Sequence, residues 1–475
     1  MLQRAFRQRS VFEVLLPDGD KLWDPGLCRI DEILDDEALV DRVADALGQR
    51  WPRSRVHGRP GTPAEVVLRM LVLKHLYDWS FDECEREVRG SLVYRAFCRI
   101  DCERVPDAKT LIRLAQLVGP ATLKGIVERL VGLARQRHVI RGFRMRVDTT
   151  VVETNIHYPT DSTLLADGVR VLTRTLKRLR HEVSEGVIAV RDRTRSVARR
   201  VFEITQRSRT ATVRTKAAIR EKTKTRMRQL YREVMALSRA VVRQAEAAVQ
   251  QVAAGTARGI GLAQIHIEAL ARELRDTGGV VRRVLAQTRA RVLKGDTHYP
   301  DKVLSLFEPH TEAIRKGKAA KPTEFGKLVK LQEAEAQFIT DYTVCAARVP
   351  DQDLWIPSLD THRQLFGRVP RLAVADAGFA TAANEEAATD LGVHRVVLPK
   401  RGRLSPLRRA HQRQRWFRRA LRWRTGCEGR ISVVKRRHGL RRCRYRGLDG
   451  MERWVGLGVI ANNLLVFARA GPPRR

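Results

Sequence analysis

Acidic residues are scarce in this chain. Its 475 residues include 53 Asp and Glu against 91 Lys and Arg, which gives a formal net charge of +38 at pH 7. Self-repulsion on this scale disfavours a compact state unless an anionic partner neutralises the charge. DNA or RNA is the favoured partner, because counterion release rewards many contacts between cations and phosphates. An anionic membrane surface is the alternative that the composition leaves open.

Long apolar runs are also missing. The chain opens with MLQRAFRQRS, which lacks the apolar segment of a signal peptide. The longest apolar stretch, Val455 to Ala468, is too short to span a bilayer and contains Asn462 and Asn463. We therefore predict a buried terminal helix there, no membrane partner, and a cytoplasmic protein associated with the nucleoid.

Cysteine follows no recognisable pattern. The seven cysteines are scattered and include no CxxC pair, so we expect neither a disulfide framework nor structural zinc. Cys98 and Cys102 lie four residues apart, but the sequence offers no matching ligand pair elsewhere. A reducing compartment fits this usage best.

The N-terminal part of the chain, residues 1–138, has helical spacing from residue 30 onward. Thr62-Pro63-Ala64-Glu65 and Ser80-Phe81-Asp82-Glu83 each predict a capping box at a helix start, and another helix is expected near Asp107. Several short helices in a basic protein suit a helix-turn-helix DNA-binding domain. A plain helical domain fits this stretch equally well.

A long helical insertion is predicted after a first strand at 143–154. Residues 163–294 carry apolar residues spaced by threes and fours, as in coiled coils, with about 30 basic residues and fewer than half as many acidic ones. The string His-Tyr-Pro flanks the block at 157–159 and 298–300, which sets the insertion at 161–298. Two arrangements are open. The apolar seams of these helices pack on each other within one chain and leave the basic faces to bind DNA, or they pack against a second protomer.

The three apolar seams of the insertion are separated by predicted breaks. The first runs from Leu165 to Val190, the second from Met227 to Val252, and the third from Ile267 to Leu274. Gly278-Gly279 is expected to end the third helix.

Strands are expected to resume after the insertion. Val303–Ile314 and Phe325–Val344 have extended patterns and predict a hairpin across the turn Arg315–Pro322. Short strands are expected at Arg371–Asp376 and His394–Pro399, followed by helices. The order predicts a mixed α/β sheet built from residues 139–160 and 299–475.

Three acids stand where acids are normally excluded. Asp148 lies inside an apolar strand and Asp376 ends another, although a buried carboxylate is costly without a partner or a metal. Glu428 is the single acid among 19 Lys and Arg between Lys400 and Arg446. Carboxylates in this setting suit Mg²⁺, with Mn²⁺ as a possible substitute. A turn cap or a salt bridge to arginine is the alternative for each acid.

Two other acids are weaker candidates. Strand alternation turns Glu153 to the face opposite Asp148. Asp341, near the end of the second predicted hairpin strand, is a second decoy.

Several segments together resemble a known family between about residues 60 and 468. The segments are VDTTVVETN at 147–155, FEPHT at 307–311, KPTEFG at 321–326, ADAGF at 375–379 and GCEGRIS at 426–432. They resemble the DDE transposases of bacterial insertion sequences, and the ISNCY type most closely. The resemblance implies an RNase H-like core with Asp148 on the first strand, Asp376 after the fourth and Glu428 on a following helix.

Related transposases carry a signature of Tyr, two residues, Arg, three residues, Glu, six residues, Lys. Arg424, Glu428 and Lys435 match this spacing, whereas Leu421 replaces the Tyr, which puts the handling of DNA ends in doubt. The DNA-binding residues expected around the signature are Arg424, Arg430, Lys435, Arg436 and Arg437.

The resemblance implies an enzyme that cleaves DNA phosphodiesters at the terminal repeats of an insertion sequence and joins the 3′-hydroxyls to target DNA. Two-metal-ion catalysis by Asp148, Asp376 and Glu428 and a homodimer in the synaptic complex are expected. The alternatives are a nuclease of the same fold that never joins strands and a non-catalytic DNA-binding protein derived from a transposase.

Overall fold

A computed structural model describes residues 2–4, 23–49, 61–210, 217–315 and 322–470. The chain divides into two compact units. Unit 1 comprises Met1–Asn155 and Glu312–Arg475, and unit 2 comprises Ile156–Thr311. Unit 1 contains every strand of the sheet described below.

Short helices form the N-terminal part of unit 1. They are α1 Pro25–Leu34, α2 Glu37–Gly48, α3 Ala64–Leu76, α4 Phe81–Gly90, α5 Leu92–Phe97, α6 Ala108–Leu117 and α7 Pro120–Gln136. The predicted capping box of Ser80 and Glu83 opens α4, and Asp107 caps α6 as expected.

The capping box predicted at Thr62 was wrong. Helix α3 begins at Ala64 after Pro63 and has no side-chain cap. The backbone N–H groups of Ala64 and Glu65 donate instead to the carbonyls of Gln3 and Arg4, at 3.0 and 3.2 Å. The Glu65 side chain accepts from Arg69, so it is not available to close a capping box.

The sheet of unit 1 contains parallel and antiparallel strands. Its strands are β1 Arg144–Glu153, β2 Glu312–Ile314, β3 Glu324–Glu333, β4 Ile339–Val344, β5 Leu372–Val374 and β6 Arg395–Val397. The order is β2-β3-β1-β5-β6, with β4 also paired to β3. Strand β1 is antiparallel to β3 and parallel to β5, and β5 is parallel to β6. The predicted mixed α/β sheet is confirmed.

The predicted hairpin was partly wrong. Its first strand is only β2, at the end of the expected stretch, although β2 does pair antiparallel with β3. The second stretch, 325–344, is two strands, because the chain turns at Glu335–Gln337 and β4 folds back on β3. Ala336 and Gln337 take positive φ at this turn without the glycine that would have signalled it. Most of the predicted turn before β3 lies outside the described residues.

Helices cover the sheet and complete unit 1. They are α12 Trp355–Phe366, α13 Ala382–Asp390, α14 Pro406–Arg413, α15 Arg415–Arg437 and α16 Gly447–Arg469. Helix α16 is buried along most of its length, which confirms the terminal helix. Asn463 is tolerated there because its amide bonds the backbone N–H and C=O of Ile339. No described helix combines the length and apolar character needed to cross a membrane.

Unit 2 is a helical unit with its own apolar core. Its helices are α8 Asp161–Glu182, α9 Thr194–Thr210, α10 Ala217–Ala253 and α11 Leu262–Thr288. Parts of the first two predicted seams, from Leu165 to Leu179 and from Leu230 to Ala248, are buried in one apolar core. The seams therefore pack inside the unit.

Two details of the predicted seams were wrong. Helix α8 ends at Glu182, so the first seam stops there and Val187 is 80% exposed. Gly278-Gly279 does not end the third helix, because α11 continues to Thr288. Each glycine inside a helix costs about 1 kcal/mol relative to alanine. The burial of Val281 and Val284, which follow the two glycines, offsets this cost.

Candidate active site

Asp148 lies in the middle of β1 on the face covered by α15. The neighbouring Arg146 points to the same face by strand alternation and donates to the carbonyl of Trp423 on α15, at 2.6 Å. The Asp148 carboxylate accepts the backbone N–H of Thr149 at 2.8 Å. Its second oxygen lies 3.5 Å from an Arg424 nitrogen. The Asp148 side chain is nearly buried, and the Arg424 cation of α15 compensates its negative charge.

Asp376 follows directly after the neighbouring strand. Strand β5 pairs with β1 as far as Arg146 and Val374, and Asp148 and Asp376 each follow that pair by two residues. Adjacent strands are about 4.8 Å apart. The Asp376 carboxylate accepts the backbone N–H of Gly378 at 2.8 Å, which turns the chain away from the sheet. The end of β5 therefore carries a second acid towards the same end of the parallel strands as the first.

A further acid, Asp351, borders this site and was missed in the sequence. Its carboxylate accepts the Thr149 hydroxyl at 2.9 Å. A Cβ added to Gly378 would lie 3.0 Å from an Asp351 oxygen and 3.1 Å from an Asp376 oxygen, so both carboxylates border that glycine. Asp351 lies seven residues after the end of β4, so its position relative to a strand gave no signal in the sequence.

Glu428 reaches the site from α15. Its carboxylate accepts from Arg424, one helical turn earlier, at 2.7 Å, and the side chain is 58% exposed. The same guanidinium contacts Asp148 through its other terminal nitrogen. Arg424 thus bridges the acid of the strand and the acid of the helix.

A buried ion pair fixes α15 on β1 beneath these acids. Arg146 donates to Glu333 of β3 at 2.5 and 3.1 Å, and both side chains are almost fully buried. A Cβ on Gly426 would lie 2.6 Å from an Arg146 nitrogen, so this glycine permits the close approach of the helix. Burial raises the pKa of the Glu333 carboxyl, and burial beside Glu333 raises the pKa of the Cys427 thiol.

The other basic residues that we expect to bind DNA differ in how exposed their side chains are. Arg430 is 8% exposed and donates to Asn462 at 2.9 Å and to Gln337, so it packs α15 against α16 and the β3–β4 turn. Burial lowers its pKa. Arg436 and Arg437, at the end of α15, are exposed, and Lys435 is half-buried.

The two weaker acids are paired away from the site. Glu153, at the end of β1, lies 3.6 Å from an Arg442 nitrogen. Asp341 is buried between Lys124 and Lys330, and the contact to Lys330 is 2.7 Å. These two cations lower the pKa of Asp341 against the opposing effect of its burial. Both acids therefore form salt bridges within the fold, and we assign them a structural role.

The three predicted acids supply hard oxygen ligands. In the part of the chain that the structure describes, no three His, Cys, Asp or Glu side chains lie close enough together to hold a metal ion. A guanidinium cation nevertheless lies between Asp148 and Glu428, so the two carboxylates converge on a shared positive charge. The oxygen donors are of the type that divalent cations bind, and Arg424 holds the position between two of them.

Known protein families match both parts of unit 1. A family model described as Transposase domain (DUF772) matches residues 13–117, and one described as Transposase DDE domain matches residues 306–464. Uncharacterized protein ORF8 in nfe locus, from Rhizobium meliloti, is 27% identical in an alignment of 186 residues that covers 36% of this chain and 89% of that protein. No solved structure matches the chain significantly. The second model contains Asp376 and Glu428, while Asp148 precedes it.

Proposed function

Because this chain belongs to the DDE transposases of insertion sequences, we propose that Asp148, Asp376 and Glu428 are its catalytic carboxylates. The enzyme cleaves DNA at the ends of its element and joins the 3′-hydroxyls to target DNA. The observation that carries this proposal is the guanidinium of Arg424, which draws Asp148 and Glu428 together, with Asp376 on the adjacent strand.

The sheet supports an RNase H-like core. The path β4-β3-β1-β5-β6 has its first three strands antiparallel and its last two parallel to β1. Asp148 is on the central strand of this path, Asp376 follows the parallel neighbour and Glu428 is on a later helix, as the resemblance implies. The fold thus supplies the three acids from three separate elements.

Asp148, Asp376 and Glu428 would hold Mg²⁺, or Mn²⁺ in its place. Bound between carboxylates and phosphates, such ions activate the attacking oxygen and stabilise the leaving oxygen of an in-line displacement. Ligation by all three acids requires Arg424 to leave the position it takes between Asp148 and Glu428. The exposed Glu428 is on the open side of the helix, where a rotamer change is inexpensive.

The protein contributes positioning and charge to this chemistry. Arg424, once released from the carboxylates, remains within reach of a phosphate bound at the site and orients it through two N–H groups. Lys435, Arg436 and Arg437 continue a basic surface along α15 for the DNA backbone. Such preorganised cations stabilise charge that develops on phosphate oxygens.

Two other parts of the chain complete the proposed transposase. The N-terminal helices α3 to α6 recognise the terminal repeats, and the basic outer faces of unit 2 grip DNA. The synaptic complex is a homodimer, in which each protomer holds one end of the element. An enzyme acting on chromosomal DNA in this way works in the cytoplasm, at the nucleoid.

The test is strand joining by the full-length protein. Labelled duplexes ending in the terminal repeat with a free 3′-hydroxyl are incubated with a circular target and Mg²⁺. We expect labelled DNA to become covalently attached to the circle. Cleavage of uncut ends without joining would indicate a nuclease instead. Binding without either reaction would indicate a non-catalytic descendant of a transposase.

A further inference from the structure

A strongly basic groove lies at the opposite edge of the sheet from the candidate acids. The parallel strands β1, β5 and β6 begin together there, with Arg144 in register with Leu372 and Leu372 in register with Arg395. Asp148 is four residues further along β1, about 13 Å away at the rise of a strand. We call this surface the edge groove and define it by its lining residues Arg141, Arg144, Arg371, His394 and Arg395 together with Arg368, which stacks on the lining residue Phe143.

The edge groove is open and sizeable. It has a volume of about 750 Å³ and runs across the first residues of the three strands. All six defining side chains are exposed. Arg144 and Arg395 are both in register with Leu372 of the strand between them, so the sheet fixes the distance between their backbones at about 10 Å.

The positive charge of the edge groove is not neutralised by nearby acids. Within the described residues, none of its arginines forms an ion pair with a carboxylate. The one acid of the lining is Glu335. Its two oxygens accept the backbone N–H groups of four consecutive residues, 141 to 144, at 2.7 to 3.3 Å. Glu335 therefore fixes the backbone of the groove and leaves the guanidinium groups without an anionic partner.

Aromatic rings hold several of these guanidinium groups in place. The Arg368 and Arg371 groups lie 4.2 and 4.7 Å from the ring centre of Phe143, and the Arg395 group lies 5.3 Å from that of Trp416. Stacking on a ring uses the face of a guanidinium and leaves N–H groups at its rim able to donate. Arg368 uses one of them to donate to the carbonyl of Arg141 at 2.5 Å. These side chains are thus partly ordered before any ligand binds, which lowers the entropic cost of binding.

We propose, resting on the function proposed above, that the edge groove binds the sugar-phosphate backbone of a segment of double-stranded DNA other than the one held at the acids. Planar guanidinium groups match phosphate oxygens, and the one acid of the lining, Glu335, directs both of its oxygens to backbone N–H groups. A phosphodiester at Asp148 and Asp376 lies at the far ends of β1 and β5, so it leaves the groove free. The chain then contacts two DNA segments, at opposite edges of one sheet.

The proposal is tested by the salt dependence of binding, without metal and without cleavage. The full-length Arg144→Gln/Arg395→Gln protein is titrated with a duplex of random sequence at several salt concentrations. Each phosphate that the variant no longer binds makes the slope of log affinity against log salt shallower by about 0.9, so the expected change is about two units. Because no reaction is measured, an error in the assignment of the catalytic acids does not alter this result.

Two further proteins serve as controls. Arg137→Gln/Arg363→Gln removes the same charge from exposed positions outside the groove and is expected to keep the wild-type slope. Arg144→Lys/Arg395→Lys keeps the charge in the groove and is expected to keep most of the slope. An unchanged slope in the first variant, or an equally shallow slope in the Arg137 control, would overturn the proposal.

Discussion

Arg424 forms ion pairs with two of the three candidate acids, Asp148 and Glu428. A metal ion that binds these carboxylates must therefore compete with the Arg424 guanidinium. We expect Arg424→Ala to bind Mn²⁺ more tightly than the wild type, by about fivefold, since an exposed ion pair is worth up to about 1 kcal/mol. Electron paramagnetic resonance of Mn²⁺ in a titration without DNA measures this. Arg424→Lys keeps a cation there and should stay near the wild type. Weaker Mn²⁺ binding by the Ala variant would contradict the competition.

Two buried histidines make stability depend on pH. Burial lowers the pKa of His362 and of His438 from the ordinary 6.5 to about 4. His362 donates its Nε2–H to the carbonyl of Gly142 at 3.0 Å, a bond that raises the pKa and offsets only part of the effect of burial. The stability from each neutral ring is complete above pH 6.5 and is lost as the pH falls towards 4, because the unfolded state then binds protons that the folded state refuses.

We therefore expect the free energy of unfolding to fall between pH 6.5 and 4, by up to about 3 kcal/mol for each histidine. Urea denaturation of the wild type and of His362→Gln at several pH values isolates the contribution of one ring. The Gln variant can still donate to Gly142 but does not titrate, so its curve should be flatter over this range. Parallel curves would show that His362 is not the group responsible.

At the scale of elements, the buried pair Arg146 and Glu333 holds α15 on the sheet. Arg146→Met leaves Glu333 buried without its cation and should lower the free energy of unfolding by about 3 to 5 kcal/mol. The double variant Arg146→Met/Glu333→Leu removes both charges and should recover most of that stability. Chemical denaturation of the wild type, both single variants and the double variant measures the coupling. A double variant no more stable than Arg146→Met would contradict the pairing.

The sequence predicted elements well where local signals act alone. Ser80 and Asp107 stand at real helix starts, β-branched residues mark β1, and apolar spacing identifies the helices of unit 2. It failed where distant residues decide the outcome. The Thr62 cap is replaced by carbonyls of Gln3 and Arg4, some 60 residues away in the chain.

The same limit applies to the site. Asp148, Asp376 and Glu428 were visible as acids in unusual surroundings, and the structure brings Asp148 and Glu428 to one guanidinium. Arg430 could not be separated from the neighbouring DNA-binding candidates, because its partners Asn462 and Gln337 come from other elements. Asp351 was missed because its neighbour Thr149 is about 200 residues earlier.

At the scale of the whole molecule, the net charge of +38 is spread over both units. Unit 2 has its own buried seams, so unit 1 should fold without it. We expect excision of the insertion between the two His-Tyr-Pro strings to leave a folded core with weaker binding to DNA. The slope of log affinity against log salt should become shallower by about 0.9 for each phosphate that the insertion binds in the intact protein.

Circular dichroism of the excised protein provides the control for folding. A folded protein with an unchanged salt slope would show that the insertion does not touch DNA. Its role would then be dimerisation or spacing, which sedimentation of the two proteins compares directly.

The central claim is that three carboxylates, and not the other acids of the sheet, perform the cleavage. The most direct measurement is the rate of strand cleavage at a terminal repeat in Mg²⁺ by Asp148→Asn, Asp376→Asn and Glu428→Gln, with Glu153→Gln as the matched control. Each of the three should lose cleavage by at least about a thousandfold while its affinity for the ends stays within a few fold, and the control should cleave. Robust cleavage by the Glu428→Gln protein would contradict the account and point to another acid, with Asp351 the first to test.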